Sequence, residues 1–552
     1  MLDQPHHPLL LPEIVSNVLE NVRMRDLASC AQVNRTWSTI ALKRMYEGST
    51  WDMQFRTPDI ISLNCLYVAS RERFARHMGN VKHLLIAPEN TVDKREVGLP
   101  KKLVALEEFR PMRDPEYAKS LFRSHNPRVK SLMVPFGIYG WRKRDFMDVF
   151  LTPSVEFLAI DDEFCRFLDS EHMTANRLEN IRALTIYWSG ASKNVTSLCS
   201  LLNRCNLRFF HIEDLRDPTP MSDSNVRQLI DCLKRQRDLR ALALIIPEVY
   251  STIAQQLLVR NPWPHLKALS VGNFGDRHWG PIRLPKFTEL EMLSLRSVDP
   301  LLGIVGREPE IKNRLRMLHL EVYDIDDAAP LLDILPGCHR LQKLSLGEIS
   351  SVGGDPPELY ARFYERLPSL PSLECLSMYW EINLDIQVLR HVAIQCPQIT
   401  ILNLYPLELN ADIVTLRTIP PLPQLKVMKV SEILFHNPRQ WIQGDGLQQL
   451  AAEWRRIFPK LRACPTPTDT GYPVTEQDIR DHLQYSSEAS WEHPNDSDCL
   501  TARLSTVLGH RDWIDSDVEY VYQRELETEV IGWPVVRLGE LDQAESHSTY
   551  HL

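Results

Sequence analysis

One signature, apolar-x-x-apolar-x-apolar, returns twelve times between Val129 and Val430, and this recurrence constrains the fold more than any other feature of the chain. It begins at Val129, Val155, Ile181, Leu207, Leu239, Leu266, Leu290, Leu315, Leu341, Leu373, Ile399 and Leu425, so successive copies stand 26, 26, 26, 32, 27, 24, 25, 26, 32, 26 and 26 residues apart. Within each copy the last two apolar residues, such as Leu344 and Leu346, alternate as on a strand with one buried face. Upstream, Val81/Leu84/Ile86 repeats the pattern and Leu103/Leu106 is a shortened copy, about fourteen units in all. Between the strands, runs such as Val226/Leu229/Ile230/Leu233, Leu331/Leu332/Ile334/Leu335 and Ile386/Leu389/Val392/Ala393 carry helical spacing. A strand plus a helix per period predicts an α/β solenoid, in which each unit packs on its neighbours and no single large core is needed. That suits 552 residues, a length beyond what one hydrophobic core organises.

Motifs such as CHRLQKLSL from Cys338, CPQITILNL from Cys396 and CNLRFFHI from Cys205 resemble the leucine-rich-repeat family, over roughly residues 80–435. The family often has Asn or Cys at the ninth motif position; here Ser189, Leu215, Phe274, Val298 and Ile349 stand there. Apolar packing is therefore expected to hold the turns in place of an Asn ladder.

Residues 9–50 lie outside the period. Pro12 suits a first helical position, and Ile14, Val15, Val18, Leu19 and Val22 form one apolar face. Asp26 is expected to cap a second short helix with Leu27, Cys30 and Val33, and Asn34 a third with Trp37, Ile40 and Leu42. The segment LPEIVSNVLENVRMRDLASCAQVNRTWSTIA, from Leu11 to Ala41, resembles an F-box in its Leu-Pro start, Asp-Leu pair, Val and Trp. After Leu11-Pro12 it is one residue shorter than the commonest form.

Together the two resemblances imply a substrate receptor of an SCF-type ubiquitin ligase. Leu11, Pro12, Ile14, Leu19, Leu27, Val33 and Trp37 would dock on a Skp-type adaptor of the cullin-based ligase. The solenoid would hold the protein to be ubiquitylated, and the chain would supply neither a catalytic residue nor a cofactor. Rival expectations are a leucine-rich-repeat scaffold acting outside a ligase and an enzyme with an unrecognised site in the solenoid.

Strand alternation predicts which residues line the solenoid's inner sheet face: Asp161, Tyr187, His211, Glu213, Arg296, His319, Tyr379, Tyr405 and Lys429, with small residues such as Ala243, Ser270, Ser294 and Ser345 among them. Aromatic, Arg and mixed charged residues on one face suit a protein partner. His319, Ser345 and Asn403 are expected to face outward, so their replacement by Ala should change stability by no more than about 0.5 kcal/mol.

After the last strand, Trp454, Ile457, Phe458 and Leu461 suggest a closing helix. The expected organisation is thus a flexible start (1–8), the F-box-like helices (9–50), the solenoid with its closing helix (51–464) and an acidic, largely flexible tail (465–552), in which 530–536 is the best candidate for local order. The tail holds 18 Asp and Glu against 5 Arg and no Lys, a balance of −13 in a chain of net −9. This argues against nucleic acid as a partner. No stretch reaches the 18 or so uncharged apolar residues of a membrane span, and the N-terminus lacks the basic flank and apolar core of a signal peptide, so a cytoplasmic or nuclear location is expected.

Phosphate-loop, zinc-protease, nucleophile-elbow and kinase signatures are absent from the sequence. The acidic groups Asp161-Asp162-Glu163 and Asp324/Asp326/Asp327 read as solvated or helix-capping side chains rather than metal ligands. Eleven scattered cysteines without a C-x-x-C pair argue against a disulfide framework or zinc cluster; Cys199, Cys205, Cys338 and Cys396, at helix ends, read as buried packing thiols.

Overall fold

A computed structural model describes residues 11–20, 22, 24–47, 63, 66, 70–85, 128–134, 150–168, 178–188, 194–214, 222–245, 263–271, 287–295, 305, 309–322, 330–348, 357–379, 383–404, 408–411, 413–430, 432–436, 438, 441, 445–461, 500, 504, 507 and 508. They are mixed α/β, with parallel strands alternating with helices, and belong to two compact units divided between Ile253 and Ala254. The shortened copy at Leu103/Leu106 and the 530–536 segment fall outside the described residues.

The first unit opens with helices α1 (Pro12–Glu20), α2 (Met24–Cys30), α3 (Arg35–Glu47) and α4 (Arg71–Met78). Asn34 caps α3 as expected, its Oδ1 accepting from the Trp37 backbone N–H at 3.0 Å. Helix α2, however, begins at Met24, so Asp26 sits inside it rather than before it. The strands follow: β1 (His83–Leu85), β2 (Ser131–Val134), β3 (Phe157–Asp161), β4 (Ala183–Trp188), β5 (Phe209–Asp214) and β6 (Ala241–Ile245). Each pairs in parallel with the next, in sequence order. Between them lie α5 (Asp162–Leu168), α6 (Val195–Arg204) and α7 (Asp223–Leu233). The register aligns the repeat leucines: Leu132, Leu158, Leu184, Phe210 and Leu242 form one row, each at most 2% exposed.

The second unit continues the pattern with β7 (Ala268–Val271), β8 (Met292–Leu295), β9 (Met317–Val322), α8 (Leu331–Ile334), β10 (Lys343–Glu348), α9 (Pro357–Glu365) and β11 (Cys375–Tyr379). After these come β12 (Asn383–Asp385), α10 (Val388–Gln395), β13 (Ile401–Asn403), β14 (Glu408–Ala411), α11 (Ile413–Thr418), β15 (Val427–Lys429), β16 (Glu432–Phe435) and α12 (Gly446–Ile457). Its main sheet runs β7-β8-β9-β10-β11-β13-β15, all parallel. A small sheet, β12-β14-β16, forms where the chain leaves β11, β13 and β15, and it buries Leu384, Leu409 and Ile433. Helix α12 buries Leu450, Trp454 and Ile457. Part of the acidic tail is packed: Leu500 and Leu504 are buried, and Arg455 Nη2 donates to the Val507 carbonyl at 2.9 Å.

One backbone device recurs at the junctions of the main sheet within each of the two units. The residue before each strand offers its carbonyl to two N–H groups of the next repeat. The Arg182 carbonyl thus accepts from Arg208 at 2.7 Å and Phe209 at 3.1 Å, and that of Arg316 from Gln342 at 2.8 Å and Lys343 at 3.0 Å.

The turns are not held by apolar packing alone. At one junction Gln236, 7% exposed, spans two repeats: its Oε1 accepts from the Leu207 N–H at 2.9 Å and its Nε2 donates to the Leu202 carbonyl at 2.7 Å.

Candidate functional site

Helix α1 divides its apolar residues between two surfaces. Val15 and Leu19 turn inward and form, with Leu27 and Ala41, a core against which Val22, Cys30, Ala31, Trp37, Ile40 and Met45 pack. Leu11, Ile14 and Val18, spaced three and four apart, form a stripe on α1 that is 41%, 36% and 41% exposed, and Val33 between α2 and α3 is 60% exposed. Among the described residues only Ile394 and Val414 are comparably exposed large apolar side chains, so four of the six lie in this small unit. Of the expected adaptor-contacting residues, Leu11, Pro12, Ile14 and Val33 are at the surface. Leu19 and Leu27 are not: they are 1% and 5% exposed, because a three-helix unit this small needs them for its own core. Trp37 is half-buried against that core. Val18 joins the exposed stripe, and its spacing of four from Ile14 is the sequence signal for it.

The helical unit is fastened to the repeats beside it. Tyr46 stacks on His77 with ring centroids 4.4 Å apart, Glu47 forms an ion pair with Lys82, and the Lys82 N–H donates to the Glu47 carbonyl at 3.1 Å.

The sheet face opposite the repeat leucines is far less open than alternation suggested. In the first unit Tyr187 and His211 are each 1% exposed, and Phe157, Ala159, Ala183, Thr185 and Phe209 around them are buried too. Strands here carry apolar or compact residues on both faces, as buried parallel strands do. Asp161 is half-buried, and its Oδ1 caps α5 by accepting from the Phe164 N–H at 2.9 Å. Tyr187 and His211 are therefore interior residues rather than contact residues.

In the second unit the corresponding row is polar on all seven strands: Ser270, Ser294, His319, Ser345, Ser377, Asn403 and Lys429 stand in register. Ser270, Ser294, His319 and Lys429 are partly open, and His319 Nδ1 lies 2.9 Å from Ser345 Oγ. Ser345, Ser377 and Asn403 are 3%, 0% and 1% exposed, which corrects the expectation that Ser345 and Asn403 face solvent. They point away from the leucines yet are covered. Glu213 and Tyr379 belong to β5 and β11. The side chains of these two, with Glu321 of β9, and the whole of Arg296 and Tyr405, fall outside the described residues.

Cys199, Cys205, Cys338 and Cys396 lack the setting of reactive thiols. Burial pushes the thiols of Cys205 and Cys396 up to about 12 and that of Cys338 up to about 11, and it raises Cys199 as well, with Cys232 beside it adding to the effect. Each stays protonated at neutral pH, whereas nucleophiles and metal ligands need the thiolate. Asp162, fully buried, accepts from Asn194 Nδ2 at 2.9 Å. Among the described residues no three His, Cys, Asp or Glu side chains group as metal ligands, and no helix is long and apolar enough to cross a membrane. No protein-family model matches this chain, and no curated protein is a significant match to it.

Proposed function

We propose that the chain is the substrate-recognition subunit of an SCF-type ubiquitin ligase, with α1 to α3 docking on a Skp-type adaptor of the cullin-based ligase. The observation that carries this reading is the apolar stripe Leu11, Ile14 and Val18, exposed on a unit that already has a core. Exposed large apolar side chains concentrated in so small a unit suit a partner that covers them. The target protein would bind on the repeats, where the partly open Ser270, Ser294, His319 and Lys429 of the second unit offer small and polar contacts. In this role the chain accelerates transfer by holding the target near the charged ubiquitin carrier, without chemistry of its own.

Replacing Leu11, Ile14 and Val18 together by Ser tests the reading. The triple variant should lose co-precipitation of a Skp-type adaptor while its melting curve stays that of the wild type. Undiminished adaptor binding would overturn the assignment. Adaptor binding by the wild type without ubiquitylation of any captured protein in a reconstituted ligase would instead favour a scaffold acting outside the ligase.

A further inference from the structure

The segments that lead into β4, β5 and β6, residues 178–182, 203–208 and 234–240, carry Arg182, Arg204, Arg208, Arg235, Arg237 and Arg240. Lys234 adds a seventh cation, paired with Asp231 of α7 at 3.4 Å, and the only carboxylates within these segments are Glu179 and Asp238. Arg182, Arg208 and Arg240 immediately precede the matched residues Ala183, Phe209 and Ala241. They are joined directly through the main chain: the Arg208 N–H donates to the Arg182 carbonyl and the Arg240 N–H to the Arg208 carbonyl, each at 2.7 Å. Three like charges thus stand on adjacent strands about 4.8 Å apart, an arrangement that costs stability. At the same position in the second unit the charges alternate: Lys267 meets Glu291 at 3.7 Å, Arg316 meets Glu291 at 3.8 Å, and Arg316 Nε donates to Gln342 Oε1 at 2.7 Å.

The guanidiniums are oriented by neutral oxygens. Arg182 Nη1 donates to the Asn206 carbonyl at 3.2 Å, Arg204 Nη1 to the Leu168 carbonyl at 2.7 Å, and Arg235 Nη1 to Asn203 Oδ1 at 3.2 Å. Such bonds hold a side chain in place, which lowers the entropy lost when an anion binds. A groove of about 950 Å3 between α6 and α7 shares Asn203, Arg204 and Arg235 with this edge and adds Arg227, Ser200 and Thr196.

We propose that this arginine edge of the first unit is a docking strip for a carboxylate-rich segment of a partner protein. Six of its seven cations are Arg, whose planar fork matches a carboxylate through two parallel hydrogen bonds. The three segments contain no aromatic residue, so the edge lacks the stacking platform on which single-stranded nucleic acid binds. The strip would serve equally on a receptor inside or outside a ligase.

Fluorescence anisotropy on the full chain tests the proposal with three probes: a labelled oligo-glutamate peptide, its oligo-glutamine counterpart, and a single-stranded oligonucleotide of equal length. The glutamate peptide should bind, and the glutamine peptide should bind at least about tenfold more weakly. Reversing Arg208 and Arg240, both exposed, with Arg208→Glu and Arg240→Glu should weaken the glutamate peptide by at least about tenfold while the melting curve is retained. Should that pair fail to fold, Arg237→Glu alone provides the same comparison at an exposed position. Equal binding of the glutamate and glutamine peptides, no binding of either, or indifference to charge reversal would overturn the proposal. Tighter binding of the oligonucleotide than of the glutamate peptide would also overturn it, in favour of a nucleic-acid site.

Discussion

Gln236 offers a sharp stability test because one side chain serves two buried main-chain groups of the neighbouring repeat, the Leu207 N–H and the Leu202 carbonyl. The substitution Gln236→Met keeps the side chain's length and volume but removes both hydrogen bonds. The Leu207 N–H is left orphaned at a cost of about 1–3 kcal/mol, while the Leu202 carbonyl keeps the Cys205 N–H at 3.3 Å and loses only its second bond, so the variant should lose roughly 2–4 kcal/mol. Arg237→Ala, one residue on and exposed, is the control and should stay within about 0.5 kcal/mol. The assay is urea unfolding followed by circular dichroism, reading the midpoint of the transition that reports the first unit. A Gln236→Met variant as stable as Arg237→Ala would refute the clamp and return the junction to apolar packing.

Leu344, fully buried in the leucine row, should lose about 2–5 kcal/mol on truncation to Ala, whereas Ser345→Ala on the other face should lose about 1 kcal/mol with its contact to His319; denaturant midpoints rank the two. His83 bonds through Nδ1 to Ser131 Oγ at 2.9 Å, and burial first, then Lys82 and Lys130, hold its pKa down at about 4 against the opposing pull of Glu47. The unfolded chain takes up that proton near the ordinary histidine value of 6.5, so the stability tied to neutral His83 is fully present above it and is lost as pH falls toward 4. The loss is on the order of 3 kcal/mol, and His83→Gln should remove that share of the acid sensitivity in melts between these limits.

The repeat period is legible in the sequence because the leucines of each strand are buried on the same face, and register follows directly: Leu158 meets Leu184, and Leu344 meets Leu376. The opposite face is harder to read. Thr185, Tyr187 and His211 have the polarity of surface residues, yet they sit among Phe157, Phe209 and Ala183, whose apolar character already marks strands covered on both sides. Within the helices, helical spacing places Ile14 and Val18 on one apolar face with Val15 and Leu19, and only packing separates the exposed stripe from the core. Gln236 carries no sequence signal at all: a polar residue in a turn looks solvated until its two main-chain partners are seen.

The doubled hydrogen bond at each strand start makes the chain editable by whole periods. The Glu291 carbonyl holds the N–H groups of Arg316 and Met317, and the Arg316 carbonyl holds those of Gln342 and Lys343. Excising residues 316–341, one period of 26, presents Gln342 and Lys343 to Glu291 in the same phase, with Leu344 falling where Leu318 stood. A cut whose ends fall inside a strand, rather than in the connection, puts that strand out of phase with its neighbour. Growth or loss by duplication is therefore quantised, and the two longer steps of 32 residues, at Leu207 and Leu341, show that extra chain is accommodated between strands while the junction itself stays unchanged.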